Sequence, residues 1–71
     1  MDRATLENAL AATEQNLAEA EHQVANQREL VAQLERDGQD TVQPTRRLAE
    51  LEEVLDAHIA DRDRLRKELG D

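Results

Sequence analysis

The sequence predicts an all-α fold, an antiparallel two-helix hairpin of the coiled-coil type, and three observations lead to it. Apolar residues recur alternately four and three positions apart on both sides of one interruption. Helix-forming residues dominate both segments, and the alternation with a period of two that marks strands is absent from the sequence. Gly38 and Pro44 mark the single interior break. The 71 residues therefore form one domain, residues 1–71.

Helix 1 is predicted over about residues 3–37 and helix 2 over about 42–69. Each carries a heptad stripe, the pattern by which one helix packs along another. The stripe of helix 1 consists of Leu6, Leu10, Thr13, Leu17, Ala20, Val24, Gln27, Val31 and Leu34. The stripe of helix 2 consists of Leu48, Leu51, Leu55, His58, Arg62, Leu65 and Leu69.

The turn is predicted over residues 38–41. Gly38 is expected to end helix 1 in a left-handed conformation. After Asp40, Thr41 is expected to cap helix 2, with Pro44 in the first turn, where a missing N–H costs nothing. Gln43 is the rival cap, with Pro44 at the first helical position. Since the loop is short, the helices should be antiparallel neighbours.

Folding the chain back at this turn predicts a seam between residues whose numbers add to about 82. Leu34 would then face Leu48, and Leu17 would face Leu65. The predicted intrachain seam consists of Leu17, Val24, Val31, Leu34, Leu48, Leu51, Leu55, His58, Leu65 and Leu69. In this register Leu6 and Leu10 lie beyond the end of helix 2, without a partner in their own chain.

Apolar residues outside the seam predict a homodimer, with two hairpins forming a four-helix bundle. The predicted self-association interface is Leu6, Leu10, Leu30, Val54 and Ile59. A stripe this broad is typical of a helix with two neighbours, and a cysteine-free chain of this length has little core of its own. The alternative is that these side chains stay partly exposed, as single leucines often do.

Charge and composition exclude several functions. The chain has 17 acidic and 9 basic residues, a net charge of −8 and no aromatic residue, so neither nucleic acid nor an anionic membrane is an expected partner. It also lacks cysteine, serine, tyrosine and a glycine-rich phosphate loop. We therefore expect a non-enzymatic protein without a cofactor.

Two histidines deserve a chemical interpretation. Glu19 and His22 have the Glu-x-x-His spacing of helical di-metal sites, but the heptad places both on the outside, which favours a solvated acidic face over a metal. His58 falls on the inward stripe. A pH-sensitive layer is one interpretation, and a histidine whose polar edge reaches solvent is the favoured one.

Two segments carry a resemblance to a known group of proteins. Leu30–Thr41, with its Leu-Glu-Arg-Asp-Gly-x-Asp-Thr turn, and Ala57–Leu65 resemble stretches of short, uncharacterised helical-hairpin proteins of proteobacteria. The resemblance covers about the last 40 residues. This chain departs from that group at two positions, because histidine is common in the group where this chain has Gln39, and Pro44 is not typical. The resemblance implies a small bacterial protein and brings no activity, cofactor or substrate.

The sequence thus predicts a protein-interaction module, a self-associating hairpin that presents acidic helix faces to a protein partner. The alternative is a small acidic regulator, antitoxin-like or anti-factor, that masks a basic site on its partner. A metal-binding bundle is a remote third. No secretory signal or long apolar run is visible, so a cytoplasmic location is expected.

Overall fold

The computed structural model describes residues 2–70 and contains two α-helices packed against each other as a hairpin. Helix α1 spans Arg3–Arg36 and helix α2 spans Val42–Glu68, with no strand among the described residues. The predicted all-α fold is confirmed. The hairpin is a rod of 53 × 15 × 14 Å, in agreement with the length of about 51 Å that the 34 residues of α1 give at 1.5 Å per residue.

Hydrogen bonds at both ends define α1. The Asp2 carboxylate accepts the Thr5 backbone N–H at 2.7 Å, which satisfies one of the free amides of the first turn. At the other end Gly38 has a φ of +70°. Its N–H donates to the Glu35 carbonyl at 3.1 Å, and the N–H of Gln39 donates to the Leu34 carbonyl at 2.9 Å. This is a Schellman motif, and the predicted left-handed Gly38 is confirmed.

The start of α2 differs from the prediction. Thr41 occupies the cap position, but its side chain makes no capping hydrogen bond. Its φ of −111° and ψ of 8° are far from the extended backbone that lets a cap side chain reach the next amides. Asp40 takes this role, since its Oδ1 accepts the Val42 N–H at 3.0 Å. Gln43 lies inside the helix, so it is not the cap either, and Pro44 lies in the first turn.

The core is a single line of side chains along the contact between the helices. Val24, at the middle of α1, is the most deeply buried, with 2% of its surface exposed. The buried residues are Leu17, Ala20, Val24, Val31, Leu51, Leu65 and Leu69. Four further predicted seam residues are half-buried, namely Leu34, Leu48, Leu55 and His58.

The register differs from the predicted one by about one heptad. The Gln27 side-chain amide donates to the Pro44 carbonyl at 2.9 Å. If facing residue numbers added to 82, Pro44 would be level with Gly38, about 16 Å along the rod from Gln27. A sum of about 75 places Pro44 level with Val31, one helical turn from Gln27, and this distance lies within the reach of the side chain.

This register also brings the start of α1 beside the end of α2. The Arg3 guanidinium donates to the Leu69 carbonyl at 3.4 Å, and both Leu6 and Leu10 are half-buried. A sum of 75 makes Leu6 level with Leu69, and the expectation that Leu6 and Leu10 lack partners in their own chain is wrong. The cause is the repeat itself, because a shift of seven residues keeps every inward position opposite another inward position.

Candidate functional site

The described residues, 2–70, enclose no cavity. Within the same range, no three histidine, cysteine, aspartate or glutamate side chains are grouped so that they could hold a metal ion. Glu19 and His22, the two residues with the Glu-x-x-His spacing, are both exposed. No polar or charged residue among residues 2–70 is buried, so their polar side chains lie on the outer faces of the rod or at the edges of its core.

Over residues 2–70, neither helix is both long enough and apolar enough to cross a membrane.

One long face of the rod is defined by two ion pairs between the helices. The Arg28 guanidinium contacts the Glu52 carboxylate at 3.0 Å, and the Arg66 guanidinium contacts the Glu14 carboxylate at 3.0 Å. All four residues occupy heptad position e, directly after an inward d position. The e positions of the two antiparallel helices therefore lie on the same side. We call this side, formed by positions e and b of both helices, the ion-pair face.

The ion-pair face is strongly acidic. Its charge is −5, because it carries seven acidic residues and two basic ones. The acidic residues are Glu7, Glu14, Glu21, Glu35, Glu52, Asp56 and Asp63, and the basic ones are Arg28 and Arg66. The b positions of α1 are all alanine, at residues 4, 11, 18, 25 and 32. Among the described residues Glu21 and Asp56 have no ion-pair partner.

The opposite long face, formed by positions g and c, carries two exposed apolar side chains. Leu30 and Val54 both occupy position g, with 44% and 48% of their surfaces exposed. On α1 this face carries a single charge, Glu19, and its other members are Thr5, Ala9, Ala12, Asn16, Gln23, Asn26, Leu30 and Gln33. We call it the amide face because Asn and Gln are its most frequent residues on α1.

The charges that α2 adds to the amide face are paired with each other. Arg47 lies 3.6 Å from Glu50, and Arg64 lies 3.9 Å from Asp61 and 3.6 Å from Glu68. Four acidic and two basic residues in total give this face a charge of −2. The amide face therefore repels another negatively charged surface much less than the ion-pair face does.

The two polar seam residues of α2 are half-buried. Arg62 donates from Nε to the Asp63 carboxylate at 3.1 Å, so its stem runs beside the seam while its charged group lies outside, as amphipathic side chains usually do. His58 lies one turn before Arg62. Among residues 2–70 no buried side-chain nitrogen or oxygen lacks a hydrogen-bond partner, and both interpretations of His58, the favoured solvent-reaching side chain and the pH-sensitive layer, stay predictions.

The five residues predicted to form the self-association interface do not lie on one surface. Leu6 and Leu10 are half-buried at seam positions, and Leu30 and Val54 are exposed on the amide face. Ile59 occupies position e, so it is on the ion-pair face, where it is half-buried. Sequence reasoning missed the unequal charge of the two faces, although the heptad positions of the charged residues contain that signal.

Comparison of the chain with protein-family models, with curated proteins and with solved structures finds no match in any of the three. The resemblance of the turn to proteobacterial hairpin proteins therefore stays a prediction.

Proposed function

We propose that this hairpin is a non-enzymatic protein-interaction module. Two copies associate as a homodimer, most simply a four-helix bundle, and the dimer presents its acidic faces to a protein partner. The observation that carries the proposal is the exposure of Leu30 and Val54 on a rod whose own core is one side chain thick.

The total exposed surface supports self-association. The chain exposes 5134 Å², whereas a compact folded monomer of 8.0 kDa is expected to expose about 4,450 Å². The excess of about 700 Å² is close to the roughly 800 Å² that each partner buries in an interface of ordinary size. Association of two copies would remove this excess.

The charge of the chain does not prevent association. Two copies carry −8 each, but exposed charges more than about 8 Å apart are largely screened in physiological salt. Association is therefore expected to strengthen as the salt concentration rises, because the repulsion falls while apolar burial does not.

The ion-pair face favours a second candidate function, the small acidic regulator. Glu21 and Asp56 lie at similar levels on this face, and both are free to pair with cationic groups of a partner. A monomeric hairpin could mask a basic site with this face. Binding of that kind would be steeply salt-dependent, since charge steers it.

Sedimentation equilibrium at micromolar concentration, with helicity followed by circular dichroism, tests the proposal. We expect a mass of about 16 kDa, twice the 8.0 kDa of one chain, at full helicity. A fully helical species of one-chain mass would contradict it. The oligomeric state of the chain in complex with a partner captured from cell extract then separates the two functions, since the module binds its partner as a dimer and the regulator binds as a monomer.

A further inference from the structure

We infer that two copies of this chain associate through their amide faces, and that the ion-pair faces stay on the outside of the dimer. The inference rests on the proposed self-association and names the surface that carries it. The occupant of the amide face is therefore a second copy of the same chain.

The placement of exposed apolar side chains is the first argument. Leu30 on α1 and Val54 on α2 both occupy position g, so both lie on the amide face. When the numbers of facing residues add to 75, Val54 is level with Glu21, which lies nine residues before Leu30. The side chains of Leu30 and Val54 are therefore about 13 Å apart along the rod, near its middle. The apolar residues of the ion-pair face are placed less favourably, because Ile59 is already half-buried and Val42 is at the turn end of α2.

Charge supplies the second argument. The central part of an interface is usually depleted of charged residues. The amide face has a net charge of −2 and the ion-pair face −5, so contact between two amide faces brings together the fewest like charges. The charged side chains that α2 adds to the amide face already pair within that helix.

The carboxamide side chains supply the third argument, which concerns the identity of the occupant. Asn16, Gln23, Asn26 and Gln33 each carry donors and an acceptor. A face of such groups can therefore form hydrogen bonds with an identical face, as the interface of a two-fold symmetric dimer requires. A basic partner would find few carboxylates here, and an acidic partner would find no free cation among residues 2–70 of this face.

The amide face is large enough to form a stable dimer interface. A rod of 53 by 15 Å has a footprint of about 800 Å², which is the area that each partner typically buries in a stable interface.

The experiment compares two uncharged double variants by sedimentation equilibrium. Leu30→Gln/Val54→Gln removes the apolar side chains of the amide face. Ala18→Gln/Val42→Gln makes the same kind of change at exposed positions of the ion-pair face. All four residues are exposed, so both variants should keep the hairpin, and circular dichroism checks this. We expect the first variant to raise the dimer dissociation constant at least tenfold and the second to change it less than threefold.

The possible outcomes separate the inference from the proposed function. If the wild-type chain stays monomeric, the proposed self-association and the inference are both contradicted. A dimer weakened only by Ala18→Gln/Val42→Gln places the interface on the ion-pair face, so self-association stands and the inference fails. Equal effects, or no effect of either variant, also overturn it, because the amide face then has no special part in the dimer.

Discussion

Arg28 and Glu52 form an ion pair at 3.0 Å, with each residue at the same heptad position of its own helix. A side chain on a helix leans toward the N-terminus of that helix. In an antiparallel pair the side chains of Arg28 and Glu52 therefore lean toward each other. They meet only when the two helices are aligned so that the numbers of facing residues add to about 75. A shift of one heptad would put Glu52 beside Glu35. The ion pair thus selects between two registers that the apolar stripe alone cannot distinguish.

Charge exchange at this pair tests its role. Arg28→Glu and Glu52→Arg should each lower the free energy of unfolding, and the double variant should recover most of the loss, because it restores the attraction. Since both side chains are largely exposed, the coupling energy is expected to be about 0.2–1 kcal/mol. Thermal unfolding of the four proteins gives this energy, and 1 M salt should reduce it. A coupling energy of zero at low salt would show that the ion pair between Arg28 and Glu52 does not select the register.

The register can be measured directly, because the chain has no cysteine of its own. Glu14→Cys/Arg66→Cys replaces two residues of opposite helices whose side chains contact each other at 3.0 Å. A short bifunctional thiol reagent should link them within one chain. Glu21→Cys/Arg66→Cys, in which the first thiol is shifted by about 10 Å along the rod, should react poorly. With a sum of 82, Arg66 would be level with Asn16, between residues 14 and 21, so comparable linking of both pairs would support that register.

Gly38 should resist substitution for a conformational reason. Its φ is +70°, and an added Cβ would meet nothing within 4 Å, so the cost of Gly38→Ala is backbone strain alone. We expect a loss of about 1–2 kcal/mol in the free energy of unfolding, with a smaller loss for Gly38→Asn. Gly70→Ala is the matched control, since Gly70 also has a positive φ, of 87°, but lies beyond the end of α2. Equal losses at both glycines would contradict the importance of the turn.

The helix cap at Asp2 should make stability depend on acid pH. The hydrogen bonds that Asp2 accepts from Thr5, the backbone N–H first, hold the pKa of its carboxyl below the ordinary value of 3.8. Since the folded pKa is the lower one, the cap contributes fully above pH 3.8, and its contribution is lost as the pH falls through the folded pKa.

The difference in thermal midpoint between wild type and Asp2→Ala should therefore stay constant near neutral pH and shrink below pH 3.8. Asp2→Asn is the control, because asparagine caps well without titrating. An NMR titration of the Asp2 carboxyl measures the pKa itself, and a value at or above 3.8 would contradict this explanation.

The two helices, their seam and the left-handed Gly38 follow from the sequence, since spacing and glycine act locally. The register does not, because matching Leu34 with Leu48 is as consistent with the heptad as matching Leu10 with Leu65. The cap at Asp40 was missed because the φ and ψ of Thr41 depend on how the whole turn closes. The division of Leu30, Val54 and Ile59 between two faces required the register and the ion pairs together.

The contact between Arg3 and Leu69 has a mechanical consequence. The start of α1 and the end of α2 lie together at one pole of the rod, and the Gly38 turn forms the other pole, about 50 Å away. Two groups attached at the turn and at the opposite pole would therefore be held about 50 Å apart, a distance set by the length of α1.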